Sequence, residues 1–227
     1  MFKHDESDQE VFDAFNQFIF SSDRKILAKL VSKVFFLNLV SHLPGDIVEL
    51  GVFKGSGIFA WAKINEIIGK KNRRIFGFDF FDQQALLKDL SGVDKDMMRS
   101  LFEDRGFSGA LAADLEQSLS ERCQNIGLSN VGLVKGDVSL TVPEFLNERP
   151  GFRACLVNFD LDIYQPTLDV LNAIYDKVVP GGVLVFDEYG IDEWTESNAV
   201  DEFFQNKNIQ ILGTDFKAPS AFVQKPI

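Results

Sequence analysis

The chain has 227 residues, of which 45% are hydrophobic and 25% are charged, as expected for a soluble globular protein with a sizeable core. Its formal net charge of −11 disfavours binding to nucleic acids and to anionic membranes, because both present negative phosphates. Two isolated cysteines, an acidic start and the lack of a long apolar run predict a cytoplasmic protein without a signal peptide, a disulfide framework or a membrane span.

Apolar residues recur at helical spacing near the start, which predicts an N-terminal helical extension over 1–43. Short apolar runs then alternate with helical patterns. The predicted strands are Ile47–Leu50, Arg74–Phe78, Val131–Val134, Ala154–Phe159, Val183–Phe186, Ile209–Leu212 and Ala221–Gln224. The predicted helices are Ile58–Ile68, Leu111–Ile126, Thr167–Val178 and Asn198–Phe204. This alternation predicts one α/β domain over 1–227 with a doubly wound, mostly parallel, seven-stranded sheet.

One long stretch, residues 80–110, fits no strand and only loosely fits a helix. Loops of this length inside a domain are usually functional lids or disordered segments. Its many aromatic and methionine side chains favour a lid insertion over a solvated linker, with an inserted helix pair on the core as the alternative.

A glycine-rich turn follows the first strand and opens a helix, with Glu49, Gly51, Gly55 and Ser56 in sequence. Such turns let the backbone approach a ligand, and the helix start offers free N–H groups. The dinucleotide fingerprint G-x-G-x-x-G is not met, and Glu49 would repel a phosphate. An ammonium and a sulfonium would instead be attracted, which points to S-adenosylmethionine as the ligand.

Two further acids follow strands and complete the predicted donor site. Asp79 closes the second strand, where it is placed to accept hydrogen bonds from both ribose hydroxyls. Gly136, Asp137 and Val138 follow the third strand, so that Asp137 would accept from the adenine amino group while Val138 packs on the ring. A turn or helix-cap aspartate is the structural alternative for each acid.

A third group of acids follows the fourth and fifth strands, which are neighbours in such a sheet. Asp160, Asp187 and Glu188 are therefore expected to converge, where they would repel one another unless a cation neutralised them. Oxygen ligands favour a hard ion, magnesium or else manganese or calcium. The alternative is a set of separate loop acids.

These motifs together resemble class I methyltransferases and, more narrowly, the macrocin O-methyltransferase (TylF-type) family. The resemblance spans roughly Pro44 to Gln205 and rests on the following elements: Glu49-x-Gly51, Phe78-Asp79, Gly136-Asp137, Asp160-Leu-Asp162-Ile-Tyr164 and Gly181-Gly182-x4-Asp187-Glu188-Tyr189-Gly190. It implies O-methylation of a small molecule, such as a deoxysugar or glycosylated natural product, with magnesium held by Asp160, Asp187 and Glu188, and a homodimer. One departure is Asp-Glu-Tyr in place of the family's Asp-Asp-Tyr.

The resemblance leaves the catalytic base open. Catechol O-methyltransferase places a lysine three residues after its first metal acid, and that position is Ile163 here. Asp160 itself, or its neighbour Asp162, is therefore the predicted catalytic base. The competing functions are a metal-independent N- or carboxyl-methyltransferase, a nucleotide-binding dehydrogenase or epimerase, and a non-catalytic binding module.

Overall fold

The computed structural model describes residues 6–68, 72–104 and 115–227. These residues form a seven-stranded sheet in the order β3-β2-β1-β4-β5-β7-β6. The strands are β1 Asp46–Leu50, β2 Ile75–Asp79, β3 Val131–Lys135, β4 Ala154–Phe159, β5 Val178–Phe186, β6 Leu212–Gly213 and β7 Ala221–Gln224. The first five strands run parallel, and β7 pairs antiparallel with both β5 and β6. The predicted doubly wound, mostly parallel sheet is confirmed.

Helices cover both faces of this sheet. They are α1 Glu6–Phe20, α2 Lys25–Val40, α3 Ser56–Ile68, α4 Gln83–Asp89, α5 Gly92–Arg99, α6 Leu115–Asn125, α7 Val138–Glu148, α8 Tyr164–Ile174 and α9 Glu196–Phe204. Side chains from α2, α3 and α6 form one hydrophobic core against the sheet, while α7, α8 and α9 form the other. Each buried strand therefore contributes apolar side chains to both cores, which explains its continuous hydrophobic sequence.

Helix α2 is fixed firmly to the sheet at its C-terminal half. Phe36, Leu37 and Val40 are fully buried in the core. The Arg73 guanidinium, which precedes β2, donates hydrogen bonds to the carbonyls of Val40 and Leu43 at the helix end. These bonds tie the end of α2 and the turn that follows it to the start of β2. The N-terminal helices predicted over 1–43 are thus present, and α2 is an integral layer of the fold.

Several predicted boundaries differ from the structure. Helix α7 was not predicted, because Pro143 interrupts an otherwise helical pattern. Strand β5 begins at Val178 and not at the predicted Val183, because Pro180-Gly181-Gly182 forms an irregular section within it, where the pairing with β4 changes register.

The ends of other elements also shift by several residues. Helix α8 begins at Tyr164 and ends at Ile174, before a short 3-10 helix over Tyr175–Lys177. Strand β6 is limited to Leu212–Gly213. The start predicted for the helix after residue 110, at 111–114, lies outside the described residues.

The predicted lid region is helical as far as it is described. After β2, α4 and α5 are followed by a π-helix over Ser100–Asp104. Residues 105–110 of the predicted insertion lie outside the described part of the chain. Among the described residues, no helix is long and apolar enough to cross a membrane.

Candidate functional site

A cavity of about 550 Å³ opens beyond the carboxyl ends of the parallel strands. This is where doubly wound sheets bind ligands, and its size suits a small-molecule site. Gly51 and Asp79 line it after β1 and β2, while Asp160 and Glu188 line it after β4 and β5. The cavity therefore joins the predicted donor residues to the predicted acidic cluster.

Asp79 is held in place by the glycine-rich turn. One carboxylate oxygen accepts hydrogen bonds from the backbone N–H groups of Val52 and Phe53, both at 2.8 Å. The other oxygen accepts from the Phe81 N–H at 2.7 Å. Burial nevertheless raises the pKa of Asp79, against these hydrogen bonds. Each carboxylate oxygen can accept more than one hydrogen bond, so Asp79 keeps capacity for a ligand hydroxyl.

Gly51 lets two strand ends come close together at the cavity. Its φ of 87° lies in the left-handed region, and a side chain there would collide with the backbone carbonyl of Asp160. A glycine is therefore required at this position for steric reasons. Gly51 thus brings the donor turn directly beside the acidic cluster.

Glu49 lies beneath the turn and is not among the residues lining the cavity. Its side chain is 2% exposed, and its carboxylate approaches the Lys33 ammonium at 3.8 Å. A side chain at Gly57 would collide with that carboxylate, which explains the third glycine of the motif. Burial raises the pKa of Glu49 to about 7, although Lys33 acts in the opposite direction. Donor binding by Glu49 stays a prediction.

Of the remaining residues predicted to bind the donor, one lines the cavity and four do not. Val138 lines the cavity, whereas Gly55, Ser56, Gly136 and Asp137 are not among its lining residues. Asp137 is the N-cap of α7, where its carboxylate accepts the Ser139 N–H at 2.8 Å. A role for these four residues in donor binding stays a prediction.

The acidic cluster is paired with lysines of α2 that sequence reasoning missed. Lys25, Lys29 and Lys33 stand four residues apart on one helix face, and we call them the α2 lysine row. The Lys29 ammonium lies 3.0 Å from Asp160 and 2.8 Å from Asp187. The Lys25 ammonium lies 3.0 Å from Glu188. Their i, i+4, i+8 spacing on an otherwise apolar helix was the available signal.

The Lys29 ammonium is strongly held in its charged form. Burial alone would lower the pKa of Lys29, but the charges of Asp160 and Asp187 outweigh it and raise that pKa above its ordinary value. Since both carboxylates meet the same nitrogen, Lys29 bridges the ends of β4 and β5. The predicted convergence of these two acids is thus found, with an ammonium between them.

Asp162 and Glu196 are two further acids near this end of the cavity, and of the two only Asp162 lines it. Asp162 lines the cavity with a left-handed φ of 68°, a strained conformation for a non-glycine residue. Burial, with the charges of Asp160, Glu188 and Asp187, raises its pKa well above its usual range. Glu196, fully buried at the start of α9, accepts a hydrogen bond from the Glu188 backbone N–H. Sequence reasoning missed Glu196, which lies in an ordinary helix-start position.

Magnesium, expected from the resemblance, requires Asp160, Asp187 and Glu188 as ligands. Their carboxylates are the right donors for a hard cation. However, the Lys29 ammonium lies between Asp160 and Asp187, and Glu188 is paired with Lys25. Within 6–68, 72–104 and 115–227, no three His, Cys, Asp or Glu side chains are grouped so as to hold a metal ion. In this arrangement the residues do not fit a bound magnesium ion.

Two O-methyltransferases named for natural-product acceptors are similar in sequence to this chain. It is 29% identical over 158 residues to the 8-demethyl-8-(2,3-dimethoxy-alpha-L-rhamnosyl)-tetracenomycin-C 4'-O-methyltransferase of Streptomyces olivaceus, covering 68% of this chain and 56% of the relative. It is 27% identical to the mycinamicin III 3''-O-methyltransferase of Micromonospora griseorubida, covering 68% of this chain and 59% of the relative. The matched region thus spans less than two thirds of either relative.

Solved structures and a family model agree with this similarity. The calicheamicin methyltransferase CalS11 superposes with a TM-score of 0.66 and 25% identity, covering 98% of this chain and 95% of CalS11. The O-methyltransferase NovP shares the fold, with a TM-score of 0.68 and 21% identity, covering 88% of this chain and 80% of NovP. The family model for macrocin-O-methyltransferase (TylF) matches residues 24–218. The chain therefore belongs to the macrocin-O-methyltransferase (TylF) family.

Proposed function

We propose that this protein transfers the methyl group of S-adenosylmethionine to a hydroxyl of a deoxysugar carried by a nucleotide or a natural product. The family match over residues 24–218 carries this proposal. Relatives named for methylating sugars of tetracenomycin and mycinamicin support the acceptor class. CalS11, described as a TDP-rhamnose 3'-O-methyltransferase, supports a nucleotide sugar as one form of that acceptor.

The donor is proposed to occupy the end of the cavity formed by Gly51, Asp79 and Val138. Asp79 would accept hydrogen bonds from the ribose, and Val138 would pack against the adenine ring. Methyl transfer from a sulfonium is an in-line displacement, so the protein mainly aligns donor and acceptor. Because Gly51 contacts the Asp160 backbone, the donor methyl would lie close to the acidic cluster.

The acceptor hydroxyl is proposed to lie against Asp160 and Asp162. Its oxygen attacks the methyl carbon, the carbon–sulfur bond breaks, and the hydroxyl proton passes to the Asp162 carboxylate. The products are a methyl ether and S-adenosylhomocysteine. Asp160, held by Lys29, would orient the hydroxyl for this attack. Both predicted catalytic acids line the cavity, which supports this assignment.

An apolar wall surrounds the proposed acceptor position. The cavity lining includes Phe81, Met98, Leu101, Phe102 and Trp194. Apolar walls exclude water, which strengthens the electrostatic interactions between charged groups and prevents hydrolytic side reactions. The described part of 80–110 supplies most of this wall, which supports its predicted role as a lid over the acceptor.

The test is transfer of an isotopically labelled methyl group from S-adenosylmethionine to TDP-rhamnose and to rhamnosylated aromatic polyketides. A methylated sugar that survives mild alkali is expected, since ethers resist conditions that cleave methyl esters. Transfer to an amino-sugar or carboxylic-acid acceptor, with none to these hydroxyls, would support the N- or carboxyl-methyltransferase alternative. No transfer to any hydroxyl acceptor would contradict the proposal.

Asp162→Asn provides a matched variant for the proton-transfer step. Asparagine tolerates a left-handed backbone conformation well, so the φ of 68° is kept while the basic carboxylate is removed. Turnover should fall about 100-fold or more, the usual effect of removing a general base. Unchanged turnover in Asp162→Asn would assign the proton to Asp160 instead.

Magnesium assistance stays a prediction of the family resemblance. When bound, a dication would act as a Lewis acid that lowers the pKa of the acceptor hydroxyl. Asp160, Asp187 and Glu188 would have to exchange Lys25 and Lys29 for the metal ion. No step of the reaction proposed above is assigned to a metal.

We also propose a homodimer that buries the apolar face of α1. Val11, Phe12, Phe15 and Ile19 are exposed on this helix. Exposed apolar faces of this kind usually mark interaction sites. Light scattering after gel filtration should give twice the chain mass for the wild type and a monomer for Phe12→Ser/Phe15→Ser. Leu140→Ser, which removes an exposed leucine on α7, is the control and should stay dimeric.

A further inference from the structure

Three features place the Lys29 ammonium at a fixed position in the acidic cluster. It lies within 3.0 Å of carboxylates from two different strands, Asp160 after β4 and Asp187 after β5. Its helix is anchored by the buried core residues Phe36 and Leu37. Asp187 is 3% exposed, so solvent contributes little to neutralising its charge. The ammonium therefore supplies the positive charge that this cluster needs.

Two lysines neutralise most of the charge of the three acids expected to bind a metal, and Asp162 is a further acid beside them. Lys25 and Lys29 bring two positive charges against the three carboxylates of Asp160, Asp187 and Glu188. Removing Lys29 is costly at Asp187, whose side chain is buried, because the remaining charge there has no counter-ion. A divalent ion would have to compete with an ammonium that is already held by the fold. Glu188, with its longer side chain, is turned to Lys25 rather than to a shared centre with the two aspartates.

We infer that Lys29 is a built-in counter-ion that takes the position of a divalent metal in this cluster. It ties Asp160 to Asp187 and thereby positions Asp160 toward the acceptor end of the cavity. While Lys29 is in place, the cluster does not take up a divalent cation. Lys29 is a positioning residue, since it is assigned no contact with the reacting atoms.

The test measures uptake of Mn²⁺ by electron paramagnetic resonance on the full chain, with no donor or acceptor present. The wild type should leave the signal of free Mn²⁺ unchanged. Lys29→Met keeps the length and packing of the side chain but removes the charge, so it should gain a Mn²⁺ site with affinity increased about tenfold or more. Mn²⁺ should also raise the melting temperature of Lys29→Met but not that of the wild type.

Two controls assign any gained site to this cluster. Lys63→Met makes the same chemical change on the exposed face of α3 and should bind no Mn²⁺. Lys29→Met/Asp187→Asn removes one of the freed carboxylates and should lose the gained uptake. Gain of Mn²⁺ by Lys63→Met, or uptake that persists in the double variant, would place the ion elsewhere and overturn the inference.

The refuting result does not depend on the folding of Lys29→Met, because it compares only the wild type with Asp187→Asn. One Mn²⁺ bound by the wild type and lost in Asp187→Asn would show that the cluster is a metal site despite Lys29. Ion uptake is measured without methyl transfer, so this result is independent of the proposed function. The positioning of Asp160 rests on that function, and Lys29→Arg should restore turnover lost in Lys29→Met.

Discussion

Lys29 and Lys33, the second and third residues of the α2 lysine row, both face carboxylates but in opposite situations. Lys29 meets two carboxylates at the edge of the cavity and is 29% exposed. Lys33 meets a single carboxylate, Glu49, at 3.8 Å, and both side chains are buried. Burial lowers the pKa of Lys33, whereas the two aspartates raise that of Lys29. The number of opposite charges decides which effect wins.

This difference assigns different roles to Lys29 and Lys33. At the Lys29 position the charged form of the ammonium is stabilised, although burial and the charge of Asp160 raise the pKa of Asp187 to about 7. At the Lys33 end the charged forms are destabilised, and the ammonium packs over the Trp61 ring at 4.4 Å from its centroid. Such a contact adds stabilisation to a buried cation. The cluster around Lys29 is therefore expected to control turnover, and the Lys33–Glu49 pair to control the free energy of unfolding.

The largest effect is expected at the Lys29 end. Asp160→Asn should lower turnover by about 1,000-fold, because the acceptor loses a carboxylate that orients its hydroxyl. Donor affinity, measured by calorimetry with S-adenosylmethionine, should stay within about threefold of the wild type, a free-energy change of less than about 1 kcal/mol. If Asp160→Asn kept its activity, the Lys29 cluster would not control turnover.

The buried Lys33–Glu49 pair predicts that the free energy of unfolding depends on pH. Glu49 titrates near 4.5 when unfolded and at about 7 when folded, so the folded protein binds the extra proton between these values. Stability should therefore fall as pH rises through this window, by about 3 kcal/mol for this group. The check is urea unfolding at pH 5 and pH 8, compared with Glu49→Gln/Lys33→Met.

The double variant is the control because it removes both titrating groups of the pair. Its free energy of unfolding should lack this contribution, so the difference between wild type and double variant should change sharply from pH 5 to pH 8. A difference that stays constant with pH would mean that Glu49 ionises normally in the folded protein. In that case burial would not destabilise the charged forms of the Lys33–Glu49 pair, and Lys33 would not differ from Lys29 in this respect.

Most of the sheet was predictable because buried parallel strands are short apolar runs ended by glycines or acids. The same reasoning correctly brought Asp79, Asp160 and Glu188 to one edge, since strand ends meet there. It failed at α7, where Pro143 disrupts the helical pattern. Local sequence patterns therefore predict the carboxyl ends of the strands more accurately than the helices between them.

The lysines were missed because their partners are far away along the chain. Lys29 lies 131 residues from Asp160, and only the folded sheet brings the two together. Sequence patterns identify which acids share an edge, but not which cation is delivered to them by another helix. From the sequence alone, a metal ion is the expected counter-ion of these acids, whereas the structure places Lys29 between Asp160 and Asp187.

A smaller effect is expected at the donor end of the cavity. Asp79→Ala should weaken binding of S-adenosylmethionine about tenfold, or about 1.4 kcal/mol, because the ribose loses an acceptor and the Val52 and Phe53 N–H groups lose theirs. Calorimetry at one pH is sufficient. If Asp79→Ala bound S-adenosylmethionine as tightly as the wild type, Asp79 would not contact the donor. The glycine-rich turn would then have no proposed role in donor binding.

The smallest effect is expected at Asp137, which also distinguishes a cap from a ligand contact. Asp137→Ala should lower the free energy of unfolding by about 1 kcal/mol, because α7 loses the N-cap that accepts the Ser139 N–H. Asp137→Asn should restore most of that stability, since asparagine caps helices equally well. Donor affinity measured on both variants completes the test. If donor affinity fell as much as in Asp79→Ala, the Asp137 carboxylate would bind the adenine as well as cap α7. Loss of the cap alone should not change the residues that line the cavity.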